Sequence, residues 1–137
     1  MLNWVRAVLI MLKAHRGQKD KGGRPYFLHP LRVSMSVKDK RAKIVALLHD
    51  VLEDSEKYEL SDLYFLDDEQ KKALKLLTHN KNDNYFDYID GIKSSKIATA
   101  VKINDLKDNM NLNRLKNITI KDINRYRKYK KAMFILN

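Results

Sequence analysis

The run Ile44-Val45-Ala46-Leu47-Leu48-His49-Asp50-Val51-Leu52-Glu53-Asp54 limits what this chain can fold into more than any other stretch. At about 100° per residue, His49, Asp50, Glu53 and Asp54 share one arc of about 140°, and Ile44, Val45, Leu47, Leu48, Val51 and Leu52 fill the remainder. A helix apolar over most of its circumference has to be wrapped by other elements, so this one is buried and carries a single chemical stripe. Asp50 and Asp54 lie four apart, where like charges repel by roughly a few tenths of a kcal/mol on an exposed helix and by more when half buried. The chain holds 28 Lys+Arg against 17 Asp+Glu, yet no basic residue stands among these three carboxylates and one histidine. The bland alternative is a solvated face, but in so lysine-rich a chain such a face should contain lysine. Histidine with acids is a donor set for a divalent cation, provided that another His and another acid join it from elsewhere.

The rest of the sequence repeats the helical period and shows neither a strand pattern nor an internal repeat, so the expected class is all-α. A length of 137 residues implies one domain over 1–137, a helical bundle with one core. The spacing of Trp4, Val8, Met11, Leu12 and His15 predicts a first helix over 2–15 with that face inward. Arg16 to Pro25 holds three of the four glycines and reads as a loop able to approach a ligand closely. It lacks the strand–GxxxxGK[ST]–helix setting of a phosphate-cradling loop. Pro30 suits the first position of the next helix, which leaves His29 at its entrance. Asp39 caps the central helix, expected to run unbroken to about Asp54. Asp67 with Gln70 forms a capping box for a helix through Leu77, and a brief helix around Tyr85, Tyr88 and Ile89 follows. Ser95 caps a helix whose apolar side carries Ile97, Ala98 and Val101. Asp105 projects from that same side, which is costly unless it is paired. Thr119 caps a last helix to Leu136, with Ile123, Tyr126, Tyr129 and Met133 inward and the basic run Arg125 to Lys131 in solvent.

The formal net charge of +11 attracts polyanions whether or not a specific site exists. The lysines are scattered, however, and a small anionic nucleotide is served by such a field as well as a nucleic acid is. Zero cysteines exclude disulfides, thiolate zinc sites and cysteine nucleophiles, and fit a reducing cytoplasm. There is no apolar run long enough for a membrane span and no signal-peptide pattern, so a membrane partner is not expected.

His29, the adjacent His49-Asp50 pair and the remote Asp105 make two imidazoles and two carboxylates that a helical bundle can bring around one transition-type ion. That order resembles the HD-domain metal-dependent phosphohydrolases. Ala14-His15-Arg16-Gly17-Gln18, Pro25-Tyr26 followed by His29-Pro30, His49 to Asp54, and Val101 to Asp105 with Asn109-Met110 are similar to the hydrolase half of the RelA/SpoT alarmone enzymes, over most of Leu2 to Leu115. The resemblance implies an all-α fold, Mn²⁺ as the usual metal and hydrolysis of the 3′-pyrophosphate of guanosine tetra- or pentaphosphate. It assigns His29, His49, Asp50 and Asp105 as ligands, Glu53 and Asp54 as the pair that positions and activates water, and Lys21 and Asn109 as substrate-binding residues. Two departures stand out. Where the family has a guanine-stacking arginine before the lysine, this chain has Asp20, with Arg24 the nearest substitute. The residue before the asparagine, commonly His, is Asp108.

Three readings follow from the sequence. The first is an Mn²⁺-dependent alarmone pyrophosphohydrolase, and the second is the same chemistry on another nucleotide. The third is a metal-stabilised nucleic-acid-binding or regulatory module, which would have no use for Glu53 and Asp54.

Overall fold

The computed structural model describes residues 2–137. Its helices are α1 (Leu2–Ala14), α2 (Leu28–Ser36), α3 (Lys40–Leu48), α4 (Val51–Asp54), α5 (Asp68–Leu77), α6 (Tyr85–Ile92), α7 (Lys96–Asn109) and α8 (Ile120–Leu136), with 3₁₀ turns at Leu60–Asp62 and Leu112–Arg114. Among the described residues the only β-type pairing is an isolated bridge between Lys19 and Pro25. The all-α class expected from the sequence holds.

The helices begin where capping chemistry starts them. Asp39 accepts from the backbone N–H groups of Arg41 and Ala42 at 2.8 and 3.0 Å, opening α3. Asp67 with Gln70 and Thr119 with Asp122 form reciprocal capping boxes on α5 and α8. Each such cap contributes about 1 kcal/mol.

α3 is the hub because its two faces serve two different apolar clusters. Ala42, Val45 and Ala46 pack with α2, α5, α6, α7 and α8, whereas Leu47 and Leu48 pack with α1, α4, α5 and the Leu63–Leu66 segment. Leu47 and Leu48 are fully buried, and truncating either to alanine would cost about 2–5 kcal/mol. α7 lies against α2, α3, α5 and α8 and buries Ile97, Ala98, Val101, Asp105 and Leu106.

Four local expectations are corrected. The central helix is not continuous: it stops at Leu48, and Asp50 adopts φ −103°, ψ −5° before α4 resumes. The Ala46 carbonyl, which an unbroken helix would offer to the Asp50 N–H, is taken by the His49 side chain at 2.5 Å. Helix α2 starts two residues before Pro30, which still lies in the first turn, where a missing N–H is tolerated. Along α1 and on to His15, Met11 and His15 are buried and Val8 half-buried as expected, but Ala7 and Ala14 complete that stripe, while Trp4 and Leu12 are about 40% exposed, because small residues let α1 approach α3 closely. On α8, Tyr129 and Met133 pack half-buried on the core as expected, but Ala132 and Leu136 are the fully buried residues and Ile123 is exposed. The N-terminal half of that helix overhangs a cleft instead of packing, so Arg125 lines the cleft, while Lys128 and Lys131 lie over the rings of Tyr85 and Phe86.

Candidate metal centre and cleft

The break after α3 turns His49 and Asp50 toward the same point. His29, in the first turn of α2, and Asp105, three turns into α7, arrive from the other side. His29, His49 and Asp105 are all buried, and together they form a group whose ligand atoms can surround one ion. Asp105 Oδ1 lies 2.8 Å from His29 Nε2 and 3.2 Å from His49 Nε2. Asp50 Oδ2 borders the group, 3.1 Å from His49 Nε2 and 3.7 Å from His29 Nε2. Ligand atoms about 2.0–2.1 Å from a common ion are separated by about 3.0 Å along an octahedral edge and about 3.4 Å along a tetrahedral one. The observed spacings bracket those values, and the N/O donor set suits a first-row divalent metal.

The outward nitrogens of both rings support the same use. His49 Nδ1 faces the Ala46 carbonyl, which can only accept, so Nδ1 carries a proton. His29 Nδ1 faces Asp108 Oδ2 at 2.6 Å. In each neutral ring this leaves the Nε2 lone pair directed at the centre, the tautomer that a ligating imidazole needs.

The electrostatics favour positive charge there. Burial opposes an imidazolium at His29, but the hydrogen bonds to Asp105 and Asp108 outweigh it and raise its pKa to about 9. His49 moves the same way, as Asp50 and Asp105 overcome burial. Despite burial, His49 and His29 hold the Asp50 carboxyl well below the usual range. Asp105 is held low by Lys102 and His49. Glu53 and Asp54, at the end of α4, behave oppositely: desolvation, joined by the charge of Asp50, pushes both carboxyls up. Glu53 also accepts the His79 backbone N–H.

Three side chains with no role assigned from the sequence complete the centre. Lys102 donates to Asp105 Oδ2 at 2.8 Å, leaving Oδ1 for the centre. Its signal was the i,i+3 spacing of a lysine and a buried acid on one helix. Tyr26 donates to Asp50 Oδ2 at 2.6 Å. Gln18 ties His15 Nδ1 to the Asp54 carbonyl, linking the α1 end to the α4 end.

A 340 Å³ cleft opens beside His29, lined by Lys19, Lys21, Arg32, Arg114 and Arg125 together with Tyr26, Tyr126 and Tyr129. Asn109 also lines it and donates to Asp105 Oδ1 at 3.1 Å. Lys21 is therefore brought to the cleft. Arg24 is not among the cleft-lining residues; it is exposed, and its backbone carbonyl accepts the Asp20 N–H to close the loop. The Asp20 side chain is used internally, accepting from the Gly22 and Arg24 N–H groups at 2.9 and 3.0 Å. Gly22 is needed for close approach: a Cβ there would sit 2.5 Å from the Arg114 carbonyl oxygen. Gly22→Ala should push the loop off the Leu112–Arg114 turn and cost about 1–3 kcal/mol. Thermal melting checks this, and an unchanged midpoint would contradict the packing argument.

A solved structure described as a metazoan ortholog of SpoT that hydrolyzes ppGpp superposes with a TM-score of 0.81 and 22% identity, covering 100% of this chain and 86% of that one. This chain shares the fold of that protein. No protein-family model matches the chain. Curated relatives align locally with this chain. A GTP pyrophosphokinase of Streptomyces coelicolor is 44% identical over 62 residues, covering 42% of this chain and 7% of its own length. Guanosine-3′,5′-bis(diphosphate) 3′-pyrophosphohydrolases of Borreliella burgdorferi and Aquifex aeolicus are 43% and 42% identical over 54 and 55 residues, covering 36% and 37% of this chain and 8% of each relative. These matches span only a small part of the relatives. Among the described residues, no helix is long and apolar enough to cross a membrane.

Proposed function

We propose that this chain is a single HD-type hydrolase domain that uses a divalent metal, Mn²⁺ by preference, to remove pyrophosphate from the 3′ position of guanosine tetra- or pentaphosphate. The observation that carries the reading is the convergence of His29, His49, Asp50 and Asp105 next to a cleft walled by five cationic side chains. The SpoT-type fold and the two pyrophosphohydrolases among the relatives support it. A cleft of 340 Å³ lies within the range of small-ligand sites.

A metal held by those four residues would supply Lewis acidity, making water a better nucleophile and neutralising phosphoryl oxygens. The chain's own groups do the rest. Glu53 and Asp54 orient the attacking water and take its proton, and their raised carboxyl pKa values make them better bases than ordinary carboxylates. The water oxygen joins the phosphorus next to the ribose, the bond from that phosphorus to the 3′ oxygen breaks, the proton taken by the carboxylate pair passes to that oxygen to give the 3′-hydroxyl, and pyrophosphate leaves. Lys21 and Arg125 meet the phosphates from the cleft wall, Arg32 being held on Asp108, and Asn109 positions Asp105 while facing the nucleotide. Lys102 keeps Asp105 ionised.

Asp20 favours a second reading in which the nucleotide is not a guanine alarmone, because its side chain is committed to the loop backbone and offers no cation to stack on a base. One experiment addresses both. Purified protein is incubated with guanosine tetraphosphate and with competing nucleotides, with and without Mn²⁺, and the products are separated. Mn²⁺-dependent release of pyrophosphate and GDP from the tetraphosphate is expected. Turnover of another nucleotide in preference supports the second reading, and no Mn²⁺-dependent turnover of any of them defeats both.

A further inference from the structure

We infer that Asp108 is a positioning residue that acts through His29 to set the metal affinity of the centre. The inference rests on the reading of His29 as a metal ligand. Asp108 lies one helical turn beyond Asp105 on α7, and its side chain is 12% exposed. Every oxygen it has is engaged. Oδ2 lies 2.6 Å from His29 Nδ1, 3.1 Å from Arg32 Nη2 and 3.3 Å from Arg114 Nη2, and Oδ1 accepts Arg32 Nε at 2.9 Å. Arg114 also donates to the Asp108 main-chain carbonyl.

A neutral imidazole has one N–H, and an ionised carboxylate at Nδ1 decides where it sits. Asp108 draws that proton to Nδ1, holds the ring plane, and leaves a more electron-rich lone pair on Nε2, 2.8 Å from Asp105 Oδ1. The other ligating histidine has only a backbone carbonyl in the corresponding place, so the two rings are not equivalent: only His29 has a carboxylate behind its outward nitrogen. Arg32 and Arg114 both contact this carboxylate, so either one holds Asp108 ionised beside His29 when the other is removed. An Asp108 that merely fastened the Leu112–Arg114 turn to α7 would need its contacts with Arg32 and Arg114 but not the one with His29.

The test compares wild type, Asp108→Asn and Arg32→Gln. Each metal-free protein is titrated with Mn²⁺ while the resonance of the free ion is followed, and the visible spectrum of each Co²⁺ form is recorded. Asp108→Asn, which keeps size and shape, should bind Mn²⁺ about 10–100-fold more weakly and shift the Co²⁺ bands. Arg32→Gln leaves the carboxylate beside His29 and should stay within about threefold of wild type with unshifted bands. Far-UV circular dichroism verifies that each variant is folded. Should Asp108→Asn bind like wild type, or Arg32→Gln lose as much as Asp108→Asn, the inference is overturned while the metal centre stands. If wild type itself binds no Mn²⁺, the reading of the centre fails and this inference fails with it.

Discussion

Asp105→Ala should lose the metal and the activity together, whereas Glu53→Ala should keep the metal and lose turnover. Asp105 gives one oxygen to both histidines and the other to Lys102, so alanine deletes a ligand and strands a buried ammonium. Breaking such a pair costs about 3–5 kcal/mol, and a lower melting temperature should accompany the metal loss. The double variant Asp105→Ala/Lys102→Met removes the stranded charge, so it should recover stability and still fail to retain metal. Glu53 touches none of the ligand atoms; its carboxylate meets the His79 backbone at the rim. Its loss should lower kcat by about 10²–10⁴-fold. Metal content after gel filtration, read beside turnover, separates the two effects. If both single variants match wild type on both readouts, the site assignment is wrong.

Metal affinity should climb steeply with pH. In the metal-free protein the His29 pKa is raised to about 9, and a metal binds only the neutral ring. Each pH unit below about 9 should therefore weaken binding by at least about tenfold, with His49, shifted the same way, able to steepen the slope. Asp50 and Asp105 are held well below the usual range and stay ionised throughout, so they add no slope. Stability of the metal-free protein runs the other way. A raised histidine pKa contributes stability fully present below about 6.5 and lost as pH rises through about 9, on the order of 3 kcal/mol. Bound metal should remove that loss. Calorimetric titrations from pH 6 to 9 measure the first effect, and melting curves with and without Mn²⁺ measure the second. A pH-independent affinity would mean that the ion displaces no proton from these imidazoles and they are not its ligands.

Sequence reasoning located the four converging residues because each broke a pattern. His49 and Asp50 interrupted an apolar run without a lysine nearby, Asp105 stood on an apolar stripe, and His29 preceded a proline at a helix start. It missed the break in the central helix, because the competitor for the Ala46 carbonyl is a side-chain nitrogen, which no periodicity records. It also placed Arg125 in solvent and offered Arg24 as a stand-in for the family arginine. Which cations face the cleft depends on how α8 packs on α6 and α7, which is a long-range contact.

The amino-acid order by itself determined the helical class, most of the caps and the identity of the converging side chains, because capping and amphipathicity act over three or four residues. What the tertiary structure alone decided is which nitrogen and oxygen of each residue face one another. Asp108 behind His29, Lys102 behind Asp105 and Tyr26 on Asp50 arise only where α2, the α3–α4 break and α7 meet. Hydrogen-bond direction and charge compensation across 76 and 79 residues of separation, as between His29 and Asp105 or Asp108, are properties of that meeting and leave no local trace in the chain.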